Sequence, residues 1–248
     1  MNEYGYAGEI LKIDLTTCSI SKVATEEYAD RFLGGRGIAV KLYWDLTATG
    51  TRAFDPGNYL VFVTGPLTGF MRFTASRVQI CGISPEMDPE TFSYASLGGS
   101  WGSWLKYAGY DGIIITGKTD RPVYLYMDSE GAVEIRNAGH LWGKTTMDTL
   151  EILEIELGRQ ARILGLGPAA ENLVYYATGA ATQNANFGGG LASVMGAKKL
   201  KAIAIMVDKR NDPVAADPEG LKNLAKQVFT LQKYRITGIL RRASSFVI

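Results

Sequence analysis

Residues 96–102 read Ser96-Leu97-Gly98-Gly99-Ser100-Trp101-Gly102 and form the middle one of three glycine-rich segments. The other two are residues 33–37 (Leu-Gly-Gly-Arg-Gly) and residues 184–191 (Asn-Ala-Asn-Phe-Gly-Gly-Gly-Leu). Glycine lets a backbone approach a ligand closely and adopt dihedral angles that side chains forbid. The chain has 29 glycines in 248 residues, well above the usual share of about 7%. We therefore interpret the three segments as loops that surround a phosphate or cofactor with main chain.

The sequence around these segments alternates short apolar runs with turns, which predicts many strands. The predicted strands are residues 9–15, 19–23, 59–64, 78–83, 112–117, 123–127, 133–136, 163–166, 173–178 and 202–207. Helices are predicted at residues 25–33, closed by Gly34, and at residues 146–157, where Thr145 or Thr146 caps the start and Gly158 ends the helix. The expected fold class is α+β, with more strand than helix.

A change of composition at residue 208 predicts a domain boundary, because the polar segment that follows carries a proline. We expect one domain at residues 1–207, and a linker with a helical tail at residues 208–248. Asp217 is the predicted cap of that helix, with Pro218 in its first turn. The chain ends in apolar residues, so we expect the tail either to begin an absent second domain or to dock on a partner.

Composition excludes several classes of protein. The 26 basic and 25 acidic residues nearly balance, which argues against a nucleic-acid-binding surface. No apolar run approaches 18 residues and no signal peptide is visible, so we expect a cytoplasmic protein without a membrane partner. The two cysteines, Cys18 and Cys81, do not have the spacing of a metal or redox motif, and we expect both to be buried thiols.

A series of motifs carries a resemblance to a known family. The motifs are Leu33-Gly34-Gly35-Arg36-Gly37, Gly65-Pro66-Leu67-Thr68-Gly69, Ser76-Arg77, Ile83-Ser84-Pro85, Gly98-Gly99, Lys106-Tyr107-Ala108-Gly109-Tyr110-Asp111, His140-Leu141-Trp142-Gly143-Lys144, Gly167-Pro168-Ala169, Glu171-Asn172 and Val194-Met195-Gly196-Ala197-Lys198-Lys199-Leu200-Lys201-Ala202. In their order and spacing they resemble the aldehyde ferredoxin oxidoreductase family over roughly residues 5 to 207. Each motif alone is weak, but the series is specific.

The resemblance implies two β-sheets that form a saddle over a tungsten or molybdenum bis-pterin cofactor. It also implies a magnesium ion between the two pterin phosphates, held by the backbone carbonyls of Ser96 and Ala185. Ser96 stands where the family commonly has asparagine, a difference that a main-chain contact tolerates. The residues that the resemblance places in cofactor binding are Arg77, Ser96, Gly98, Gly99, Asn184, Ala185, Gly189 and Gly190. Glycine-rich turns and an arginine also suit phosphate on chemical grounds.

The loop at residues 184–188 departs from the family pattern. Asn184 stands where the family often has a second phosphate-binding arginine, and residues 186–188 replace an Ala-Gly-Arg run. The loop therefore keeps its glycines and loses both positive charges. Arg72 and Lys106 are the candidates for replacing that charge.

The family's cysteine cluster and helical domains have no counterpart in these 248 residues. An iron–sulfur cluster needs four thiolates, so we expect none on this chain and no activity from the chain alone. Electron transfer to ferredoxin would then use another polypeptide. We expect a second subunit or a homo-oligomer to cover the open face of the saddle.

Two functions follow from the resemblance. The first is a cofactor-binding domain or subunit of a tungsten or molybdenum bis-pterin oxidoreductase that interconverts aldehydes and carboxylic acids. In that case the metal carries the redox chemistry and the chain supplies binding and orientation. The alternative is a non-catalytic, cofactor-poor paralogue that acts as an assembly or interaction subunit.

Several other residues have simpler interpretations. His140 is expected to pack or form structural hydrogen bonds. Residues 165–170 imitate a dinucleotide-binding fingerprint, but a strand rather than a helix is predicted after them. Arg36 is interpreted either as a phosphate contact or as a cap on a helix end. Trp101 and Trp104 are expected in the core rather than at the edge of a cofactor.

Overall fold

The computed structural model describes residues 4–244 except 71, 72, 74 and 129, with side chains described as far as Leu231. This part contains two mixed six-stranded sheets and seven helices. The prediction of a strand-rich α+β fold built on two sheets is therefore confirmed. In the same residues, no helix is long and apolar enough to cross a membrane.

The first sheet has the strand order β2-β1-β6-β3-β4-β5. Its strands are β1 (Glu9–Asp14), β2 (Ser19–Ala24), β3 (Leu60–Val63), β4 (Val78–Ser84), β5 (Thr91–Leu97) and β6 (Gly112–Thr116). Strands β1 and β6 run parallel, and the other neighbours are antiparallel. Strand β3 is apolar throughout, and β6 is apolar except for Thr116 at its end, as expected for strands whose two faces are both buried. Strand β5 forms one edge of this sheet.

The second sheet has the strand order β11-β10-β9-β12-β7-β8. Its strands are β7 (Val123–Asp128), β8 (Val133–Asn137), β9 (Arg162–Leu166), β10 (Gly179–Ala181), β11 (Ala185–Phe187) and β12 (Leu200–Met206). Strands β7 and β12 are parallel, and the remaining pairs are antiparallel. The short hairpin of β10 and β11 therefore forms one edge of this sheet.

The helices complete a layered arrangement around the two sheets. They are α1 (Glu26–Phe32), α2 (Arg36–Leu46), α3 (Trp101–Tyr107), α4 (Thr146–Leu157), α5 (Pro168–Glu171), α6 (Leu191–Ala197) and α7 (Pro218–Ser244). A central core joins the facing sides of both sheets with the buried side chains of α3 and α6. Helices α1 and α2 cover the outer face of the first sheet, and α4 covers the outer face of the second. Each of the three apolar layers contains buried strand residues from the apolar runs recognised in the sequence.

Each of the three glycine-rich segments leads directly into a helix. Gly35, Ser100 and Gly190 are the residues immediately before α2, α3 and α6. Gly35 and Gly190 have φ angles of 51° and 67°, in the left-handed range that favours glycine. The sequence interpretation of these segments as loops was therefore incomplete, because it missed the three helices that begin at their ends.

The helix starts at residues 25 and 145 differ in how they are capped. Thr145 caps α4 as predicted, since its hydroxyl oxygen accepts a hydrogen bond of 3.1 Å from the Asp148 N–H. Thr25 precedes α1 but makes no side-chain cap, because its hydroxyl donates to the carboxylate of Asp111 at 2.8 Å. The prediction that a threonine hydroxyl caps α1 was wrong for this reason.

The strand predicted at residues 173–178 is also wrong. The chain there forms turns after α5, and Leu173 has a positive φ of 59°. Tyr175 and Tyr176 are exposed rather than part of a sheet. The strand of this region instead begins at Gly179, where it pairs with β9. A run of apolar and aromatic residues without alternation was insufficient to distinguish a strand from a turn.

Candidate functional site

The loop after β5 exposes main chain on one side and packs closely on the other. Ser96, near the end of β5, lies opposite Gln79 of β4, and the Gln79 Nε2 donates to the Ser96 hydroxyl at 3.0 Å. A β-carbon on Gly98 would find no atom of the described residues within 4 Å. Gly99 has a φ of 70°, and its carbonyl accepts a hydrogen bond from the Ser76 hydroxyl. The loop is therefore held at Gly99 and open at Gly98.

The loop at residue 184 is the tight turn of the β10–β11 hairpin. Gln183 and Asn184 both have positive φ angles, 67° and 59°, within the three-residue connection that follows the Ala181–Ala185 pair. Asn184 is exposed, whereas Ala185 begins β11 and is only 8% exposed. The turn presents an uncharged amide to solvent at the position where the family resemblance implies that an arginine is common.

The two loops meet where the edges of the sheets lie against each other. A β-carbon on Gly99 would come within 3.0 Å of the Ala185 β-carbon. The hydroxyl of Ser100 also donates to the side-chain carbonyl of Gln183 at 2.5 Å. The structure thus brings Ser96, Gly98 and Gly99 together with Asn184 and Ala185, although they belong to different sheets.

Gly189 and Gly190 allow the next segment to pack against the first sheet. Gly189 has a φ of 68°, and a β-carbon there would lie 3.3 Å from the Ser93 hydroxyl oxygen. A β-carbon on Gly190 would lie 2.9 Å from Pro85 and 2.9 Å from the Tyr175 carbonyl oxygen. These two glycines therefore bring the chain close to β5, beside the loops just described.

Two arginines supply positive charge on this side of the molecule. Arg77 directly precedes β4, is exposed, and makes no hydrogen bond or ion pair with a described residue. Arg36 is the first residue of α2, and its guanidinium lies 3.7 Å from the centre of the Tyr94 ring on β5. Such stacking fixes the orientation of the guanidinium and leaves its N–H groups able to donate. Arg36 therefore begins a helix but makes no side-chain cap.

Lys106 and Arg72 are the two side chains that could replace the positive charge missing from the loop at residues 184–188. Lys106 is buried, and its ammonium bonds to the carboxylate of Asp111 and to the Gly5 carbonyl oxygen. Its charge is therefore neutralised inside the protein and does not serve the loop. Arg72 lies outside the described residues.

Sequence reasoning missed Arg162 and the hydrogen bonds around it. Arg162 begins β9, and its Nε donates to the Ser100 hydroxyl at 2.9 Å. Its guanidinium lies 4.3 Å from the centre of the Trp104 ring, and burial lowers its pKa. A basic residue in front of an apolar strand is common, so the sequence contained no signal for this role.

A cavity of about 590 Å³ lies between α4 and the turn at residues 183–184. Its lining includes Met147 and two carboxylates, Glu151 and Glu154. Carboxylates repel phosphate, so the α4 side of this cavity does not suit the phosphate end of a cofactor, whereas Asn184 and Ala185 line its other side. The open side of Gly98 and the side chain of Arg77 carry the chemistry that suits phosphate.

The remaining candidate residues have structural roles or are exposed. His140 is half exposed and lies 3.1 Å from Glu156. Trp101 belongs to the core, and the Trp104 indole donates to the Gln160 carbonyl oxygen at 3.1 Å. The short helix α5 does follow residues 165–167, contrary to the predicted strand. However, β9 runs antiparallel to both of its neighbours in the described sheet, so β9 and α5 do not form the parallel β-α-β unit of a dinucleotide-binding fold.

The cysteines differ from each other in exposure. Cys81 is buried on β4, and burial raises its pKa to about 12. Cys18 is exposed in the turn between β1 and β2, with a φ of 54°. The prediction of two buried thiols is therefore wrong for Cys18, because the hairpin turns at this residue. Over the described ranges, no three His, Cys, Asp or Glu side chains converge as a metal site.

The residues present fit a phosphate-bearing cofactor bound mainly by main chain. The guanidinium of Arg77, which has no hydrogen-bond or ion-pair partner among the described residues, provides positive charge, and the open side of Gly98 allows close approach. Backbone carbonyl groups near Ser96 and Ala185 are oxygen donors of the kind that magnesium prefers. The arrangement can bind and orient such a group.

Comparison with known proteins supports the resemblance. The family model for the aldehyde ferredoxin oxidoreductase N-terminal domain matches residues 10–207. The tungsten-containing aldehyde ferredoxin oxidoreductase of Pyrococcus abyssi is 37% identical over 95% of this chain, which corresponds to 39% of that protein. The aliphatic sulfonate oxidoreductase, WOR-like subunit, of Pyrococcus furiosus is 32% identical over 95% of this chain and 40% of its own length.

A solved structure shows the same fold. The active-site complex BamBC of benzoyl coenzyme A reductase, bound to 1,5-dienoyl-CoA, matches with a TM-score of 0.87 and 36% identity. The match covers 94% of this chain and 35% of that chain. The chain therefore spans about two fifths of the length of the relatives it matches. Sequence and fold agree that the chain belongs to the aldehyde ferredoxin oxidoreductase family and contains the N-terminal domain of that family.

Proposed function

We propose that this chain is the cofactor-binding domain or subunit of a tungsten or molybdenum bis-pterin oxidoreductase. The observation that carries the proposal is the meeting of the two sheet edges, where Gly99 packs against Ala185. This contact places two glycine-containing loops side by side, with Arg77 unpaired among the described residues. Tungsten appears in the names of several relatives, which supports the choice of metal.

Residues from both loops would hold the cofactor through its phosphates. Arg77 would donate to a pterin phosphate, and the main chain at Gly98, Gly99, Asn184, Gly189 and Gly190 would approach it closely. The carbonyl groups of Ser96 and Ala185 would bind the magnesium ion between the two phosphates. When bound, the metal would supply the two-electron redox chemistry that amino acid side chains lack. The chain's own task would be to bind, orient and neutralise the anionic end.

We further propose that the complete protein interconverts aldehydes and carboxylic acids and passes electrons to a ferredoxin. The names of the aldehyde ferredoxin oxidoreductase relatives support this reaction. The names of two other relatives, an aliphatic sulfonate oxidoreductase subunit and a benzoyl coenzyme A reductase complex, point to other reactions. We place the protein in the cytoplasm. The linker at residues 208–217 and helix α7 (Pro218–Ser244) would lead into a further domain, or a second subunit would cover the cofactor.

Metal and pterin analysis tests the proposal directly. The complete protein that contains this chain would be purified anaerobically from its native host with any bound partner. Tungsten or molybdenum near one per chain, with about two pterins per metal, is the expected result. A folded sample without either metal and without pterin would overturn the proposal.

One observation favours the alternative of a cofactor-poor assembly subunit. The turn at Asn184 is exposed and uncharged, and Lys106 does not replace the missing charge because it pairs with Asp111. Two phosphates would then depend on fewer cations than in relatives with arginine at that position. A folded, metal-free protein that co-purifies with a stable partner would establish this alternative.

A further inference from the structure

A chain of three polar side chains joins the two sheets beside the candidate cofactor loops. The Arg162 Nε donates to the Ser100 hydroxyl at 2.9 Å, and that hydroxyl donates to the Gln183 side-chain carbonyl at 2.5 Å. Ser100 follows Gly98 and Gly99 directly, and Gln183 precedes Asn184 and Ala185. Through Ser100, Arg162 is thus connected to both loops at once.

The hydrogen bond from Ser100 restrains the backbone of Gln183, whose conformation is otherwise unfavourable. Gln183 has a φ of 67°, and a residue with a β-carbon adopts this left-handed conformation only at an energetic cost. Asparagine and glycine are the residues preferred in such turns, and glutamine is not among them. The hydrogen bond from Ser100 therefore helps to hold the turn in the conformation that directs Ala185 toward Gly99.

Arg162 is itself held rigidly, which makes it a suitable anchor. One terminal nitrogen, Nη1, donates to the carbonyl oxygens of residues 159, 160 and 161 at 3.4, 3.1 and 3.1 Å. The guanidinium also lies over the Trp104 ring. Among the described residues, no carboxylate lies within hydrogen-bonding distance of this group, and burial lowers its pKa. The hydrogen bonds that this cation donates go to neutral oxygens, while the carboxylate of Glu154 acts on it only through longer-range attraction.

We infer that Arg162 is a positioning residue that fixes the loop at residues 96–100 against the turn at residues 183–184. Its effect reaches the ligand through Ser100 and Gln183, and it makes both loops one binding surface for the phosphate end of the cofactor. The inference rests on the proposed function, because that function supplies the ligand. It goes beyond that function because it assigns a role in cofactor binding to Arg162, a residue outside the glycine-rich loops.

Two substitutions of Arg162 distinguish the effect of its hydrogen bond to Ser100 from the effect of its positive charge. R162Q removes both the charge and the fork of donors, whereas R162K keeps the charge but loses the Nε donor to Ser100. Both variants would be made in the complete protein that contains this chain, and pterin retained after gel filtration would be measured by fluorescence of its oxidised form. Loss of a hydrogen bond that supports the ligands of a bound ion typically costs 10–100-fold in affinity, so we expect both variants to bind the cofactor about 10-fold more weakly and to retain less pterin than the wild type. Wild-type pterin content in R162K would show that charge alone suffices and would overturn the inference.

Arg136 provides a matched control on the opposite edge of the same sheet. It also stacks on an aromatic ring, 3.6 Å from the centre of Tyr126, and bonds to Glu134 at 2.7 Å. R136Q is expected to retain full pterin. Unfolding temperatures of the cofactor-free proteins would be compared, because a merely structural role predicts pterin loss in proportion to lost stability. Equal pterin loss in R136Q and R162Q, at equal loss of stability, would overturn the inference.

A double variant tests the connection through Ser100. If Arg162 acts through this hydroxyl, S100A, R162Q and the double variant will lose pterin to the same extent. Losses that multiply in the double variant would contradict the connection. If the wild-type protein contains pterin and R162Q contains the same amount, the role of Arg162 is overturned and the proposed function is not. Wild-type protein without pterin and metal would overturn the proposed function, and this inference with it.

Discussion

The ammonium of Lys106 and the carboxylate of Asp111 form an ion pair whose side chains are only 1% and 2% exposed. The carboxylate also accepts hydrogen bonds from the backbone N–H groups of Ala7 and Gly8 and from the Thr25 hydroxyl. This one side chain therefore ties the amino-terminal segment and the start of α1 to the loop before β6.

Replacing Asp111 by asparagine is expected to destabilise the protein strongly. The substitution removes the negative charge that pairs with the buried Lys106 ammonium, and breaking a buried ion pair costs about 3–5 kcal/mol in comparable cases. The measurement is the free energy of unfolding in denaturant. D45N is the control, because Asp45 pairs with Lys41 at 2.5 Å on the surface and such pairs contribute about 1 kcal/mol or less. Similar losses in both variants would contradict the prediction.

Stability is expected to increase between pH 7 and pH 10 because of Lys198. Its ammonium is buried against the carbonyl oxygens of Pro56 and Gly117, at 3.0 and 3.2 Å, and burial lowers its pKa from 10.5 to about 7. Above pH 7 the unfolded chain holds a proton at this side chain that the folded protein has lost. Raising the pH therefore favours folding, by at most about 1.4 kcal/mol per unit.

The variant K198M isolates this contribution to the pH dependence. Its free energy of unfolding should rise less steeply than that of the wild type across the same range. K199M is the matched control, since the Lys199 ammonium bonds to the Asp120 carbonyl oxygen in an exposed position. Wild-type and K198M curves that run parallel from pH 7 to pH 10 would show that Lys198 does not titrate there.

The neighbouring glycines 98 and 99 should respond differently to alanine. G99A places a β-carbon 3.0 Å from Ala185 on a backbone with positive φ, so we expect a loss of about 1–2 kcal/mol in unfolding free energy. G98A meets no atom within 4 Å and should leave stability unchanged. Reduced pterin content in G98A at full stability would further indicate that a ligand occupies this space. Equal stability of the two variants would contradict the structure at Gly99.

The two thiols should react at very different rates. Cys18 is exposed and should be labelled rapidly by a thiol-specific reagent in the native protein. Cys81 is buried with its pKa raised to about 12, so its thiolate is scarce and it should react only after unfolding. Counting thiols with and without denaturant gives the measurement, and C18S should remove the rapid phase. Rapid labelling that persists in C18S would contradict the burial of Cys81.

Much of the fold could be predicted because its strands carry strong local signals. The buried runs at β3 and β6 and the hairpin around residues 128–131 were recognisable without tertiary information. The helices α3 and α6 were missed because each has seven residues and includes glycine, which has low helix propensity. Both are buried in the central core, so packing rather than propensity determines them.

The candidate site was predictable only in part. The family motifs identified Ser96, Gly98 and Gly99 together with Asn184 and Ala185, which the structure places side by side. No pattern in the sequence indicated that Ser100 bonds to Gln183 or that Arg162 supports both. Such contacts depend on how two sheets meet, and one-dimensional spacing does not contain that information.

The meeting of β5 and β11 also has a consequence for the solubility of the protein. Each is the edge strand of its sheet, and an exposed edge is a template for pairing with another chain. The contact at Gly99 and Ala185 shields part of both edges from such pairing. At the far edge of the first sheet, β2 is protected differently, by exposed polar residues and the Lys22–Glu9 ion pair of 2.7 Å. Weakening the contact between Gly99 and Ala185 would therefore expose the edges of both β5 and β11, and aggregation would accompany any loss of the proposed cofactor binding.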